Sequence, residues 1–203
     1  NRVARRLNHP GKDKHQALST TGKISLERAE TSVLIVFSGL PGTGKTTLAR
    51  ELATRRSAAY LRIDSIEHVM RKALPGNDIG AAGYTMALAI AGENLSLGVA
   101  VVADCVNPVA ESRAAWRQLG RASAVPHLDI EVVCSDKAEH RRRVEQRQPD
   151  IPGFVLPDWA SVETRDYQPW TGDRLIVDTA VLSVEDALRL IEHRLASLVY
   201  SAD

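Results

Sequence analysis

A nine-residue run, GLPGTGKTT from Gly39 to Thr47, joins the apolar stretch VLIVF at 33–37 to the helix-forming LARELA at 48–53. Gly39, Gly44, Lys45 and Thr46 fit G-x-x-x-x-G-K-[ST], in the strand, loop and helix order that gives the pattern its meaning. The glycines let the backbone curl until successive N–H groups face one concavity, and the helix beginning near Lys45 adds the positive end of its dipole. Such a cup takes phosphate. The expected occupant is the triphosphate of ATP, cradled by Gly39, Pro41, Gly42, Thr43, Gly44, Lys45, Thr46 and Thr47. Lys45 is placed to reach the β- and γ-phosphates, and the Thr46 hydroxyl to take one position on a Mg2+ ion whose other ligands are water and phosphate oxygens. A glycine-rich turn without a ligand would match the four fixed positions in on the order of one chain in a hundred of this length, before strand and helix are demanded on either side.

The rest of the chain narrows the setting. Its 203 residues suit one domain with a sizeable core. Lys plus Arg number 26 against 25 Asp plus Glu, so no global field attracts nucleic acid or an acidic membrane surface. Cys105 and Cys134 end apolar runs far from any metal-ligand spacing and read as reduced, buried thiols, the usage of a cytoplasmic protein. No apolar run approaches the ~18 residues of a membrane span, and the basic start lacks the apolar segment of a signal peptide. Residues 1–31 are rich in Arg, Lys, His, Ser and Thr without an apolar period. They read as a basic, flexible extension before a domain of residues 32–203, with a basic arm touching nucleic acid or a partner as the alternative.

From Thr31 short apolar runs alternate with helical patterns, the signature of parallel βαβ units. Strands are predicted at 33–38, 59–63, 99–103, 128–134 and 175–178. Helices are predicted from Lys45, after Ser65, around Tyr84, Leu88, Ala91 and Leu95, after Pro108, from Asp136 to Arg147, and through Leu188, Ile191, Leu195 and Leu198. In such sheets ligands bind beyond the carboxyl ends of the strands.

Several residues near those ends are candidates for chemistry. Asp64, ending the second strand, is placed to orient or deprotonate an acceptor hydroxyl in line with the γ-phosphate. With Glu67 three residues on, it equally resembles a capping box. Asp104 closes the third strand and suits a magnesium ion held through water. Asn107 lies on the same rim as a substrate contact, although Asn before Pro108 is the stronger pattern for a helix cap. Arg143 and Arg147, one helical turn apart beside Arg141 and Arg142, form two guanidinium forks able to clamp phosphates, against the alternative of a solvated basic face. The stretch 148–171 carries Pro149, Pro152, Pro157 and Pro169 with Trp159 and Trp170, and adds the cation Arg165. It is long for a connection in a compact domain and reads, with the helix before it, as a lid over about 141–171. Arg113 reads by default as a surface residue, and as an anion contact if it lies near the rim.

Taken together, several motifs resemble the small phosphate-loop kinases of the AAA_33 or predicted-kinase group, relatives of adenylylsulfate kinase, chloramphenicol phosphotransferase, gluconate kinase and zeta toxins. They are GLPGTGKTT, IDS at Asp64, DCVN at 104–107 with Arg113, Arg143 with Arg147, the stretch ending YQPW, and IVDT at Asp178. The resemblance spans about 33–198, and only its first motif is sharp alone. It implies an α/β, P-loop NTPase fold with a five-stranded parallel sheet, helices on both faces and a helical and loop lid. It also implies an ATP-dependent phosphotransferase acting on a hydroxyl of a small molecule, with Asp64 as base and with Lys45, Arg143 and Arg147 stabilising charge. Mg2+ is then expected at Thr46 and Asp104, and the adenine near Asp178. Asp64, Asn107, Arg113 and the segment 73–97 would form the acceptor pocket, and the small apolar character of that segment points to a neutral or mildly polar acceptor. Two other functions would use the same loop: an ATPase switch whose lid binds a protein, and a nucleic-acid 5′-hydroxyl kinase that employs the basic arm.

Overall fold

The computed structural model describes residues 32–200; the basic extension read at 1–31 lies outside the described residues. The strands are β1 (Leu34–Ser38), β2 (Ala59–Arg62), β3 (Val101–Asp104), β4 (His127–Val133) and β5 (Leu175–Asp178). They form one all-parallel sheet in the order β2-β3-β1-β4-β5. The helices among the described residues are α1 (Lys45–Arg56), α2 (Ile63–Ala73), α3 (Ala82–Ser96), α4 (Ala110–Ala122), α5 (Lys137–Gln146), α6 (Trp159–Glu163) and α7 (Val184–Tyr200).

The central strand β1 is a continuous apolar run to Ser38 because both faces of the sheet are covered there. Along β1 the pleat sends Ile35 and Phe37 into one layer, with Leu48 and Leu52 of α1 and Leu188 and Ile191 of α7. Leu34 and Val36 enter the other layer, with Ile63 of α2, Ala87, Ala91 and Leu95 of α3 and Trp116 of α4. The α/β class and the five parallel strands are those expected from the alternation of apolar runs, and the helices on both faces those that the family resemblance implies. No helix among the described residues is long and apolar enough to cross a membrane. Cys105 and Cys134 are buried free thiols.

Of the element boundaries that differ from expectation by a residue or two, two matter at the rim. β3 runs to Asp104, which makes that acid a strand residue in register with Phe37 of β1 and Arg62 of β2. α2 begins at Ile63, so Asp64 lies in a helical first turn rather than past a strand end. The crossover after β1 leads to β2 on one side of the sheet, and the one after β3 leads to β4 on the other. The carboxyl end of β1 therefore sits at the topological switch, where ligands bind in open parallel sheets.

Candidate active site

Backbone geometry makes the loop after β1 a cup. Gly39 has φ 141°, and a Cβ there would lie 2.3 Å from Val132 O. Gly42 has φ 85°, and a Cβ there would lie 2.5 Å from Val144 Cγ2 of α5. Both positions exclude any side chain. The first amides to turn back into α1 are those of Thr47 and Leu48, each onto Gly44 O at 3.2 and 3.3 Å. The amides of Lys45 and Thr46 are left without an intrahelical acceptor, as at any helix start. The loop is fastened from two sides. His140 Nε2 donates to Pro41 O (2.8 Å), and the Thr179 hydroxyl donates to Thr43 O (2.8 Å), while Thr43 Oγ1 closes its own turn onto Leu40 O (2.9 Å).

A cavity of about 470 Å3 opens over this cup, walled by Gly42, Gly44, Lys45, Thr46 and Thr47 below and by Arg143, Arg147 and Asp150 above. Lys45 is 5% exposed and has no acid partner among the described residues. Arg143 is held in place by three bonds: Nε to Glu139 (2.7 Å), Nη1 to Thr179 Oγ1 (2.8 Å) and Nη2 to Thr179 O (3.1 Å). Arg147 lies one residue past the end of the helix that carries Arg143. α5 ends at Gln146 and Arg147 is its C-cap, where a ψ of 132° turns the chain out of the helix, and both arginines line the cavity. Beside it lies a more apolar cavity of about 400 Å3 between Gly44, Leu48, Arg143, Thr179, Leu182 and Val184. Its apolar walls suit a flat nucleotide base. Asp178 faces neither cavity, because its carboxylate accepts from Ser135 N (3.1 Å) and Ala180 N (3.0 Å) and shapes the turn that presents Thr179.

The acids converge on one buried cation that sequence reading did not single out. Arg62, 3% exposed at the end of β2, places Nη1 2.7 Å from Asp150, Nη2 3.7 Å from Asp64 and Nε 4.0 Å from Asp104. Asp150 also takes a bond from Arg50 (2.6 Å), and the hydrogen bond from Arg62 leads the causes that bring its carboxyl down to about 2. Nothing periodic marks Asp150 within QPDIP; only the fold brings it to Arg62. Asp104 accepts the Tyr60 hydroxyl on Oδ2 (2.7 Å), and its Oδ1 has no partner among the described residues. Thr46 lines the loop cavity whereas Asp104, 2% exposed, does not, so a magnesium ion on the Thr46 hydroxyl would meet Asp104 through water. The capping-box reading of Asp64 does not hold, since α2 has Arg62 at its N-cap and no side-chain cap bond.

A third cavity, of about 340 Å3, has Asp64 in its wall with Pro41, Glu67, Tyr84, Arg147 and Arg165. Of the segment 73–97 only Tyr84 reaches it, and Asp64, Glu67, Arg71, Arg147 and Arg165 make the lining strongly charged. The expected neutral pocket is therefore corrected: long side chains from α2 and from beyond α5 supply its walls.

Asn107 and Arg113 are buried beneath the rim rather than exposed on it. Asn107 is fully buried with φ 54°, a conformation Asn tolerates, and its Nδ2 donates to Ser38 Oγ (3.0 Å). The cap of α4 is Val109 instead. Arg113 is 2% exposed and spends its donors on the carbonyls of Asn107, Pro108, Gln168 and Pro169, under the ring of Trp170 at 4.3 Å. Little of it is left for a substrate.

The family model of AAA_33, an AAA domain, matches residues 34–156. No curated protein sequence matches the chain. Gluconokinase from Sinorhizobium meliloti superposes with a TM-score of 0.60 at 18% identity, over 85% of this chain and 96% of that one. APS kinase CysC of Mycobacterium tuberculosis, in complex with AMPPNP and APS, gives 0.55 at 20% identity, over 82% and 98%. Chaetomium thermophilum Kti12 in complex with ADP-AlF3 gives 0.59 at 20% identity, over 82% and 98%. At such identities the likeness is one of fold. With its family match covering more than half of its length, on a five-stranded parallel sheet with a phosphate-loop cup, the chain belongs to the AAA_33 family and has a P-loop kinase-like fold.

Proposed function

We propose that the chain transfers the terminal phosphoryl group of ATP to a hydroxyl of a small molecule. One juxtaposition carries the reading: Arg147 lines both the loop cavity and the cavity that holds Asp64, so a donor and an acceptor site adjoin at an unpaired cation. The solved structures of similar fold include a gluconokinase and an APS kinase bound to AMPPNP and APS, which supports nucleotide-dependent phosphoryl transfer. The modest size of the Asp64 cavity supports a small acceptor.

In this reading Lys45 and the loop amides hold the β- and γ-phosphates, and the base lies against Thr179 and Leu182. Magnesium, on the Thr46 hydroxyl and through water on Asp104, would neutralise phosphate charge. Asp64 takes the hydroxyl proton as the acceptor oxygen bonds to the γ-phosphorus. The bond from that phosphorus to the β-bridging oxygen breaks, and ADP leaves with the electron pair. Arg147, with Arg143 behind it, balances charge where the phosphoryl group passes.

The test is a screen of hydroxylated metabolites, nucleosides and oligonucleotides with γ-labelled ATP, on the unmodified protein and on Asp64→Asn. Label is expected in one class of small molecule, with transfer lowered by roughly 10²–10⁴ in the variant while ATP still binds. Undiminished transfer by Asp64→Asn, or label released only as inorganic phosphate whatever is added, overturns the proposal.

A further inference from the structure

We infer that the acceptor bears an anionic group, a carboxylate or a phosphate or sulfate ester, which Arg165 binds; the inference rests on the phosphotransferase reading above. The charges of the Asp64 cavity support this once they are paired off. Glu67 holds Arg71 at 2.7 Å, and Asp64 lies 3.7 Å from the buried Arg62. Glu67 thus has an arginine of its own while Asp64 shares Arg62 with Asp150 and Asp104, and the lining still sets Arg71, Arg147 and Arg165 against Asp64 and Glu67. Arg147 and Arg165 have no acid partner among the described residues, and Arg147 is shared with the nucleotide cavity. Arg165 is then an unbalanced cation belonging to the acceptor side alone.

Arg165 is exposed at the mouth of this cavity, and the acids next to it in sequence do not hold it. Glu163, two residues earlier, is engaged by Lys137 at 2.6 Å, and adjacent Asp166 makes no ion pair with Arg165. The remaining walls include Ile63, Tyr84, Val106, Phe154 and Pro157, which suit a compact apolar body. A guanidinium fork over such walls recognises a planar or tetrahedral oxyanion by two parallel hydrogen bonds, a geometry an ammonium cannot reproduce.

The experiment uses matched pairs: hydroxy acids against their amides, sugar phosphates against the free sugars, and sugar sulfates against the same sugars, each with γ-labelled ATP. Label is expected to favour the anionic member of one pair type by at least roughly tenfold in kcat/KM, and the pair type identifies the anion. Arg165→Ala should raise KM for that member roughly tenfold while moving kcat little, and Arg165→Lys should recover part of the loss. Equal labelling of both members, or an Arg165→Ala effect that is the same for charged and neutral acceptors, overturns the inference and leaves the phosphotransferase standing.

A second measurement needs no turnover. With the nucleotide cavity saturated by a non-hydrolysable ATP analogue, inorganic sulfate titrated at constant ionic strength should raise the melting temperature saturably in the unmodified protein and not in Arg165→Ala. The same rise in both overturns the anion site. A sulfate effect confined to the unmodified protein, without phosphoryl transfer to any acceptor, supports the anion site and defeats the kinase reading instead.

Discussion

Arg62 sets the electrostatics of the rim. A cation 3% exposed would be costly alone, and it persists because Asp150, Asp64 and Asp104 stand at 2.7, 3.7 and 4.0 Å. Of these, Asp150 makes the short bond, reaching in from the segment beyond α5 and tying it to both β2 and α1. The Arg62 hydrogen bond leads in lowering its carboxyl from an ordinary 3.8 to about 2. A carboxyl whose pKa is depressed on folding contributes stability that is complete above its unfolded value and is lost as pH falls through the folded one. The urea midpoint of Asp150→Asn should therefore fall below that of the unmodified protein by a constant gap above about pH 5, and the gap should close between about pH 4 and pH 2. A gap that stays the same throughout that range would assign the loss to shape rather than to the ion pair.

At the scale of elements, what could be read from residues in order was what depends on local pattern. The strands are short apolar-rich runs, the loop is a fixed spacing of glycines and Lys45, and α7 repeats Leu188, Ile191 and Leu195 at helical steps. Contacts fixed only by tertiary placement were illegible. Arg113 looked like a surface residue because its partners Gln168 and Pro169 lie 55 and 56 residues away, and Asn107 looked like a cap because the sequence does not display a positive φ. The consequence for the stretch 148–171 is specific. Its YQPW end is held by Arg113 beneath Trp170 and by Gln168 N onto Pro108 O (2.9 Å), as its start is held by Asp150 on Arg62 and Arg50. Lysine at 113 keeps the charge but cannot span four carbonyls or stack on the indole. Arg113→Lys should therefore cost about 2–4 kcal/mol in urea unfolding, against less than about 0.5 kcal/mol for exposed Arg121→Ala. Wild-type stability in Arg113→Lys would show that the strap does not depend on the guanidinium.

For the whole molecule, the sheet's contribution is to hold a site that is unfavourable by itself. Lys45 is a buried ammonium with no acid partner among the described residues, at the positive end of α1, where a further positive charge is repelled. Folding tolerates it because Leu48, Ala49 and Leu52 of the same helix are buried against the sheet. The balance reverses when a triphosphate enters: the cation and the outward amides then stabilise the ligand, and the ligand stabilises the fold. A non-hydrolysable ATP analogue with Mg2+ at about 100 times its Kd should add about 2.7 kcal/mol, or roughly 5–10 °C in Tm for a domain of this size. Lys45→Ala should melt no lower than the unmodified protein without nucleotide, because it removes an unpaired buried charge, and should lose most of the nucleotide-dependent rise. Thermal melts of both proteins across an analogue titration decide the matter. An apo variant that melts well below the unmodified protein would make Lys45 a structural residue, and a variant that keeps the full rise would place phosphate binding elsewhere.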